Sequence, residues 1–197
     1  MAHFCVNCGA ALAPRLVDGK EVEACPNDSF ILWHDPKVAT AVVIETDAGV
    51  VLGRRAIEPG YGLWCLPGGF VNADEDPASA AVRECLEEIT APVELTALLG
   101  VFHIAKTDAP SMIGIAYRGR LAEGSKPKAG AEMLDVGVFP LDSLPDLAFP
   151  SHRAVLAEHV RFQGPPAASA PLRAASTARR AVRPSRSPGR PPQPRTR

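Results

Sequence analysis

Long hydrophobic runs and cysteines are both scarce in this sequence of 197 residues. The longest apolar runs, such as VATAVVI at 38–44, are strand-sized and fall short of the roughly 20 residues that a membrane helix needs. The first ten residues, MAHFCVNCGA, lack a basic start followed by an apolar block, so no signal peptide is expected. The default expectation is therefore a cytoplasmic protein whose five cysteines are free or metal-bound rather than disulfide-bonded.

Acidic residues are absent from the last 34 positions. All 22 acidic residues and 13 of the 21 basic ones lie in 1–163, which gives that part a charge of −9, whereas 164–197 carries +8 from arginine alone. This Arg/Pro-rich tail has little to bury, and its prolines interrupt any helix, so disorder is expected. It is either a solvated extension or a weak anchor for a polyanion.

Residues 1–36 contain the beginnings of a zinc ribbon. Cys5 and Cys8 form a Cys-x2-Cys pair followed by glycine, and Cys25 lies in a second, incomplete pair where Asp28 replaces the fourth cysteine. Paired knuckles of this kind place thiolates around one tetrahedral ion. The fourth ligand would come from one of three side chains, Asp28, His34 or His3, or the fourth position would stay open. The alternative is a degenerate ribbon that keeps its shape without metal.

This N-terminal module is poor in basic residues. Its region offers only Arg15, Lys20 and Lys37 as contacts to phosphates. A nucleic-acid partner is therefore not expected from the module. A nucleic-acid-binding protein would instead depend on the basic tail, and truncation at Gly164 would abolish its salt-dependent binding.

The middle of the chain, 37–163, alternates strand and helix patterns. Residues 38–45 and 49–56 predict a hairpin, and further strands are expected near 63–68, 94–105, 112–121 and 135–140. Helices are predicted at 76–89 and 151–162, with Asp76 and Ser151 as their N-caps. Strands mixed with helices of this size indicate an α/β or α+β sandwich. Four large aromatic residues are expected in its core, with stacking on the ring of a bound ligand as the alternative: Trp33, Trp64, Phe102 and Tyr117.

The first predicted helix carries an unusual cluster of carboxylates. At about 100° per residue, Glu84, Glu87 and Glu88 share one face, and apolar side chains occupy the opposite face: Val82, Cys85, Leu86 and Ile89. A solvated acidic face is the simplest interpretation. However, like charges at these spacings weaken a helix unless a divalent cation removes the repulsion. Carboxylate oxygens of this kind suit Mg²⁺ or Mn²⁺.

The segment GGFVNADEDPASAAVRECLEEIT, 68–90, resembles the signature of the Nudix hydrolases, Gly-x5-Glu-x7-Arg-Glu-U-x-Glu-Glu-x-Gly-U, where U is bulky and aliphatic. Six fixed positions match in register: Gly69, Glu75, Arg83, Glu84, Glu87 and Glu88. The last glycine of the signature is replaced by Thr90. Since a β-branched residue resists the left-handed conformation, the chain is expected to leave the helix through Pro92 instead.

The resemblance extends over about residues 4–160. The segments FCVNCGAAL, RRAIEPGYGLWCLPGGFV and PDLAFPSHRAVL are similar to Nudix hydrolases with an N-terminal zinc ribbon, including diphosphatases of FAD and ADP-ribose. The resemblance implies a Nudix-type α/β/α sandwich with a mixed sheet, preceded by the ribbon module. It also implies a small-molecule nucleotide substrate and a homodimer.

The resemblance implies roles for the matching residues. Glu84, Glu87 and Glu88 would hold Mg²⁺ or Mn²⁺, and Arg83 would orient their carboxylates. Glu75 is either a further ligand or a brace at the helix entry. The double glycine would let the backbone approach the phosphates or the metal: Gly68 and Gly69. Glu132, on a late loop, is the candidate general base, with any of the helix glutamates as the alternative.

The expected activity is cleavage of a nucleoside diphosphate derivative, with ADP-ribose or FAD as the leading substrates and AMP as a product. NADH is a weaker candidate, because the segment LLGVFHIAKTDAPSMIGIAYRG lacks the additional motif of the NADH diphosphatases. The alternative from another class is a non-catalytic Nudix-fold sensor. Such modules usually lose carboxylates of the signature, and here all of them are present.

Overall fold

A computed structural model describes residues 2–105 and 110–162. The predicted tail, 164–197, lies outside the described residues, and the boundaries proposed for the three segments stay predictions. Eleven elements follow one another along the described chain: β1 (Ala13–Val17), β2 (Lys20–Ala24), β3 (Ile31–Leu32), β4 (Lys37–Thr46), β5 (Gly49–Arg55), β6 (Trp64–Cys65), α1 (Pro77–Ile89), β7 (Val93–Ile104), β8 (Met112–Leu121), β9 (Met133–Phe139) and α2 (Pro150–Arg161).

The strands form two separate sheets. The first three strands make a small antiparallel sheet in the order β1-β2-β3. The other six form a mixed sheet, in which β6-β5-β4-β8-β7 are neighbours and β9 pairs with β5. Within it, β4 and β8 run parallel, while the remaining pairs are antiparallel. The predicted hairpin is β4 and β5, joined at Thr46 and Gly49.

The two helices lie on opposite faces of the mixed sheet. Because side chains alternate along a strand, β4 sends Val42 and Ile44 to the core beneath α1, and Ala41 and Val43 to the core beneath α2. All four are buried. The predicted α/β/α sandwich with a mixed sheet is therefore confirmed. No helix in the described part of the chain is long and apolar enough to cross a membrane.

The second helix begins differently from the prediction. Pro150 occupies the first turn and Phe149 the N-cap position, where no side chain caps the helix. Ser151 lies inside the helix, so its prediction as the N-cap was wrong. Proline supplies the helical φ without requiring a backbone N–H bond, which makes a side-chain cap less necessary.

The aromatic residues divide between core and surface. Trp64 packs edge-on against Phe139 with ring centroids 4.6 Å apart, and Phe102 packs against the core beneath α2. Tyr117 belongs to the core beneath α1. Trp33 is about half exposed on the chain segment before β4, so its predicted place in the core was wrong.

Candidate functional site

Helix α1 is anchored at its start as the sequence predicts. Pro77 is the first helical residue, and the Asp76 carboxylate accepts hydrogen bonds from the backbone N–H groups of Ala78 (3.0 Å) and Ser79 (3.1 Å). These bonds satisfy two of the N–H groups that a helix start leaves unpaired. The cap therefore fixes where the helix begins and which side chains face the sheet.

The apolar stripe of α1 differs from the predicted one. Ala81, Cys85 and Ile89 are buried against the sheet, and Glu88 joins them with 5% of its surface exposed. Leu86, predicted on this face, is 52% exposed. Positions 81, 85 and 88 follow the spacing i, i+4, i+7, so the buried stripe passes through a glutamate. The three carboxylates are therefore not equally solvated.

Glu88 is the buried member of the cluster. Its Oε2 accepts a hydrogen bond from the backbone N–H of Gly68 at 2.8 Å. Burial raises the pKa of Glu88 to about 8, against the lowering effect of the Gly68 bond. A carboxylate placed in such surroundings gains most from a cation, because a cation offsets the desolvation of its negative charge.

The double glycine lets the loop approach both the sheet and α1. Gly68 has φ 146°, and a Cβ there would lie 2.2 Å from the carbonyl oxygen of Thr40. A Cβ at Gly69 would lie 2.5 Å from the Glu84 carboxyl carbon. A side chain at position 68 would therefore clash with the backbone of β4, and one at position 69 would displace the Glu84 carboxyl group. Burial is also the main reason that the pKa of Glu84 is raised.

Arg83 connects the other carboxylates of the signature. Its Nη1 donates to Glu84 Oε1 at 2.8 Å and to Glu87 Oε2 at 3.1 Å. Its Nε and Nη2 donate to the two oxygens of Glu75 at 3.0 and 2.7 Å, and Nη2 also donates to the Phe70 carbonyl at 3.1 Å. The planar guanidinium thus fixes three acidic side chains and the loop after the double glycine.

Glu75 is bound on both oxygens. Besides its two bonds to Arg83, Oε1 accepts from the backbone N–H of Asn72 at 2.9 Å. The hydrogen bonds from Arg83 are the main reason that the pKa of Glu75 falls to about 2. This geometry favours a brace at the helix entry over a metal ligand.

The loop before β9 covers the end of α1. Backbone N–H groups of Lys128 and Gly130 donate to the carbonyls of Ile89 (2.9 Å) and Glu88 (2.8 Å). Thr90 has φ 49° and donates its hydroxyl to the Lys128 carbonyl at 3.1 Å. The threonine therefore takes the left-handed conformation, and the predicted exit through Pro92 was wrong. Its side-chain bond offsets part of the conformational cost.

The same loop carries Glu132 toward the cluster. Its side chain is exposed, while its carbonyl accepts from the Ala56 N–H at 2.8 Å. The negative charge of Glu132 contributes to the raised pKa of both Glu84 and Glu88. The fold thus brings this late-loop carboxylate into electrostatic range of the helix, although 44 residues separate it from Glu88.

Arg55 was not found from the sequence. It is 9% exposed, donates from Nε to the Pro59 carbonyl at 2.8 Å, and lies over the Phe149 ring at 5.0 Å. Its positive charge partly offsets the raised pKa of Glu88. Position 55 ends a β-strand and follows another arginine, so no sequence pattern distinguishes it from a surface residue.

A second cluster lies in the N-terminal module. The ligand atoms of Cys5, Cys8, Cys25 and Asp28 all lie within 4.8 Å of one another. Cys5 Sγ is 3.3 Å from Asp28 Oδ2, and Cys8 Sγ is 3.5 Å from Cys25 Sγ. Three thiolates and one carboxylate fit a tetrahedral zinc ion.

The two histidines considered as alternative ligands lie elsewhere. His3 Nδ1 is 2.8 Å from Glu23 Oε2, and His34 Nε2 is 3.3 Å from the same oxygen. Both rings therefore contact a carboxylate of β2 rather than the cysteine cluster. Of the three predicted candidates for the fourth ligand, only Asp28 belongs to the group of possible ligands found among residues 2–105 and 110–162.

The carboxylate cluster fits a hard divalent cation. Glu84 and Glu88 are drawn inward at the double-glycine loop, and Glu87 is 59% exposed at the rim. Such oxygen donors suit Mg²⁺ or Mn²⁺, which bind few protein carboxylates and complete their shells with water and phosphate oxygens. The arrangement can therefore position a phosphorylated substrate beside an exposed loop carboxylate.

Comparison with known proteins identifies the family of this chain. The model of the NUDIX domain matches residues 35–159, which is more than half of the sequence. The chain therefore belongs to the Nudix family, and its relatives identify it as a nucleotide pyrophosphohydrolase. An ADP-ribose pyrophosphatase from Methanocaldococcus jannaschii is 33% identical over 135 residues, which cover 68% of this chain and 79% of that protein.

Other relatives extend the comparison beyond the Nudix domain. The crystal structure of a NUDIX hydrolase from Nitrosomonas europaea is 30% identical, with a TM-score of 0.70, and the match covers 81% of this chain and 93% of that chain. A protein named NAD-capped RNA hydrolase NudC, from Pseudomonas aeruginosa, is 27% identical over 154 residues. That match covers 78% of this chain but only 52% of the Pseudomonas protein.

Proposed function

We propose that this protein is a Mg²⁺- or Mn²⁺-dependent diphosphatase that cleaves ADP-ribose or FAD and releases AMP. The observation that carries the proposal is the complete carboxylate cluster around Arg83, with Glu88 held by the Gly68 N–H at the double-glycine loop. The Methanocaldococcus relative, named for ADP-ribose, supports this substrate class. FAD rests on the sequence resemblance alone.

The residues of α1 divide the work of binding and orientation. Glu84, Glu87 and Glu88 would hold the cation, which when bound neutralises the diphosphate and activates a water. Arg83 keeps Glu84 and Glu87 at fixed positions through one guanidinium nitrogen. The Gly68 N–H holds Glu88. The three carboxylates are therefore oriented before a substrate binds.

Glu132 is the proposed general base. Its exposed carboxylate lies in electrostatic range of Glu84 and Glu88, on a loop that is tied to α1 by backbone hydrogen bonds. A base must reach the water that attacks the phosphate, and the exposed side chain of Glu132 leaves its carboxylate accessible to such a water. Glu132→Gln is expected to lower kcat with little change in KM, whereas a solvated bystander would leave both unchanged.

NADH is the second candidate substrate. The Pseudomonas relatives named NAD-capped RNA hydrolases match 78% of this chain. The chain spans about half the length of those proteins, and the sequence lacks the additional motif of NADH diphosphatases. ADP-ribose therefore remains the leading substrate. A non-catalytic sensor is disfavoured because every carboxylate of the signature is present.

We propose as well that Cys5, Cys8, Cys25 and Asp28 hold a structural zinc ion. The ligand atoms are already gathered within 4.8 Å, and all four positions are occupied by protein groups, as in structural rather than catalytic sites. The homodimer implied by the resemblance stays a prediction, to be tested by the molecular mass in solution.

The test is AMP release in Mg²⁺ or Mn²⁺ from ADP-ribose, FAD, NADH and a nucleoside triphosphate, measured in parallel. Glu87→Gln and Glu88→Gln each remove one carboxylate charge from the cluster. Glu158→Gln, on α2, is the matched control because the ion pair of Glu158 within residues 2–105 and 110–162 is with Arg161 of the same helix, at 3.4 Å.

Turnover of ADP-ribose or FAD that is lost in both cluster variants and kept in the control supports the proposal. Faster turnover of NADH would move the assignment to the second candidate. Binding of ADP-ribose without cleavage of any substrate would overturn the enzymatic proposal and favour the sensor.

A further inference from the structure

His152 contacts the strand that leads into the double-glycine loop. It lies in the first turn of α2, and its Nδ1 accepts a hydrogen bond from the backbone N–H of Leu66 at 3.0 Å. The two residues are 86 positions apart in sequence. Leu66 itself is buried in the core beneath α2, so its N–H would otherwise lack a partner.

The bond continues a pattern of backbone pairing. Trp64 forms a parallel bridge with Leu147: the Trp64 N–H donates to the Asp146 carbonyl at 3.0 Å, and the Ala148 N–H donates to the Trp64 carbonyl at 2.8 Å. In an extended chain, every second residue directs its polar groups to the same side. The next N–H on this side belongs to Leu66, and the His152 ring supplies its acceptor.

The histidine must be neutral to accept this bond. A backbone N–H can only donate, so Nδ1 of His152 carries no proton, and the proton of the neutral ring lies on Nε2. Burial, together with the nearby charge of Arg55, lowers the pKa of His152 to about 4. The acceptor is therefore available throughout the neutral range.

The two residues that follow Leu66 are hydrogen-bonded to β4 and to Glu88. The Pro67 carbonyl accepts from the Val42 N–H at 2.8 Å, which holds the chain on β4. The Gly68 N–H then donates to Glu88 at 2.8 Å. A shift at Leu66 would thus be transmitted over two residues to the group that orients Glu88.

We propose that His152 is a positioning residue for the diphosphatase reaction: it holds Leu66 so that Gly68 can orient the Glu88 carboxylate. The helix on the far face of the sheet thereby sets the geometry of a carboxylate on the near face. The choice of assay substrate rests on the proposed function. The hydrogen bond itself is independent of that choice.

The experiment compares His152→Asn with His152→Leu. The two replacements have similar size, but Asn places an acceptor oxygen where Nδ1 was, while Leu places a methyl group there. Steady-state kcat and KM are measured with ADP-ribose, and amide exchange at Leu66 is followed by NMR. His159→Ala is the control, since His159 lies on the same helix and contacts Glu45, with 3.5 Å between Nε2 and Oε1.

The Leu variant is expected to lose about 10- to 100-fold in kcat, the range typical of residues that orient a metal ligand. Its KM should change little, and the Leu66 amide should exchange faster. The Asn variant should keep most of the wild-type kcat and the slow exchange of the Leu66 amide, as should His159→Ala. If His152→Leu does not fold, His152→Ala replaces it in the same comparison.

Wild-type kcat in the Leu variant would overturn the proposal, as would an Asn variant that is as slow as the Leu variant. An equal loss in His159→Ala would assign the effect to general destabilisation of α2 and would overturn it as well. If the wild-type protein cleaves no substrate, the proposed function fails. The Leu66 exchange rates then still decide whether His152 holds this strand.

Discussion

The chain carries two clusters of metal-ligating side chains that are built in opposite ways. In the N-terminal module, Cys5, Cys8, Cys25 and Asp28 are already within 4.8 Å of one another. On α1, the carboxylates are held by Arg83 and by the Gly68 N–H, and no cluster of comparable closeness occurs there among the described residues. We call the N-terminal cluster the closed site, because its four candidate ligand atoms already lie together. We call the α1 cluster the open site, because its carboxylates are held by Arg83 and Gly68 and not by one another.

The difference fits the role that we propose for each site. A structural ion needs a full set of protein ligands, because its binding energy stabilises the fold. A catalytic ion needs positions left for water and substrate, so the protein must keep its carboxylates apart without cancelling their charge. Arg83 holds Glu84 and Glu87, and the Gly68 N–H holds Glu88.

The largest expected effect is on the open site. Glu88→Gln removes the charge of the buried ligand, and we expect a loss of at least about 100-fold in kcat, since even residues outside the ligand set cost about 10- to 100-fold. The zinc content should not change. Steady-state kinetics and metal analysis on the same sample check both statements. Activity near wild type would show that Glu88 is not a ligand.

Arg83→Ala should have the next largest effect. Three acidic side chains lose their common partner, so we expect a decrease of about 10- to 100-fold in kcat/KM. Arg83→Lys keeps the charge but not the planar fork, and is expected to recover only part of the activity. If the Lys variant is as active as the wild type, charge alone suffices and the orienting geometry is unimportant.

The pH dependence should follow Glu88 in the metal-free protein. Its folded pKa of about 8 lies above the ordinary value of 4.5, so the folded state keeps a proton that the unfolded chain loses. This contribution to stability is complete below pH 4.5 and is lost as pH rises through about 8. Unfolding in denaturant across this range checks the trend.

Two further measurements test whether Glu88 is the group that titrates in this pH range. Glu88→Gln should flatten the dependence of metal-free stability on pH, because the titrating group is gone. Mg²⁺ affinity in the wild type should rise over the same range, since a protonated carboxyl cannot serve as a ligand. An affinity that is independent of pH would mean that Glu88 is already ionised.

The closed site should affect activity less. Asp28→Ala is expected to release zinc and to make residues 1–36 sensitive to protease, with kcat reduced by less than in the α1 variants. His34→Ala is the control, because His34 contacts Glu23 and should leave zinc bound. Metal analysis separates the two variants. Retained zinc in Asp28→Ala would remove Asp28 from the ligand set.

The smallest effect is expected at Thr90. Glycine relieves a left-handed conformation that costs about 1–2 kcal/mol for other residues. It also removes the hydroxyl bond to Lys128, worth about 0.5–1.5 kcal/mol. Thr90→Gly should therefore change the free energy of unfolding by less than about 1 kcal/mol. A larger loss would show that the bond to the loop matters more than the strain.

The sequence was sufficient for the start of α1 and for several strands. Asp76 and Pro77 mark the start of α1, and the strand patterns place β4, β5 and β8 within a residue or two. It failed where partners come from distant segments. Glu88 was assigned to the polar face, although the sheet buries it, and His152 had no assigned partner until the fold brought Leu66 to it.

By itself, the sequence determined a sandwich of strands and helices, the Nudix signature and the three cysteines of the N-terminal cluster, because the cap of α1, strand alternation and fixed spacings are properties of short segments. Only the tertiary structure decided which glutamate is buried, how Arg83 divides its bonds, and that Thr90 turns left-handed against the Lys128 loop. The physical reason is that burial and hydrogen-bond partners depend on what packs from across the chain, which residue spacing does not encode.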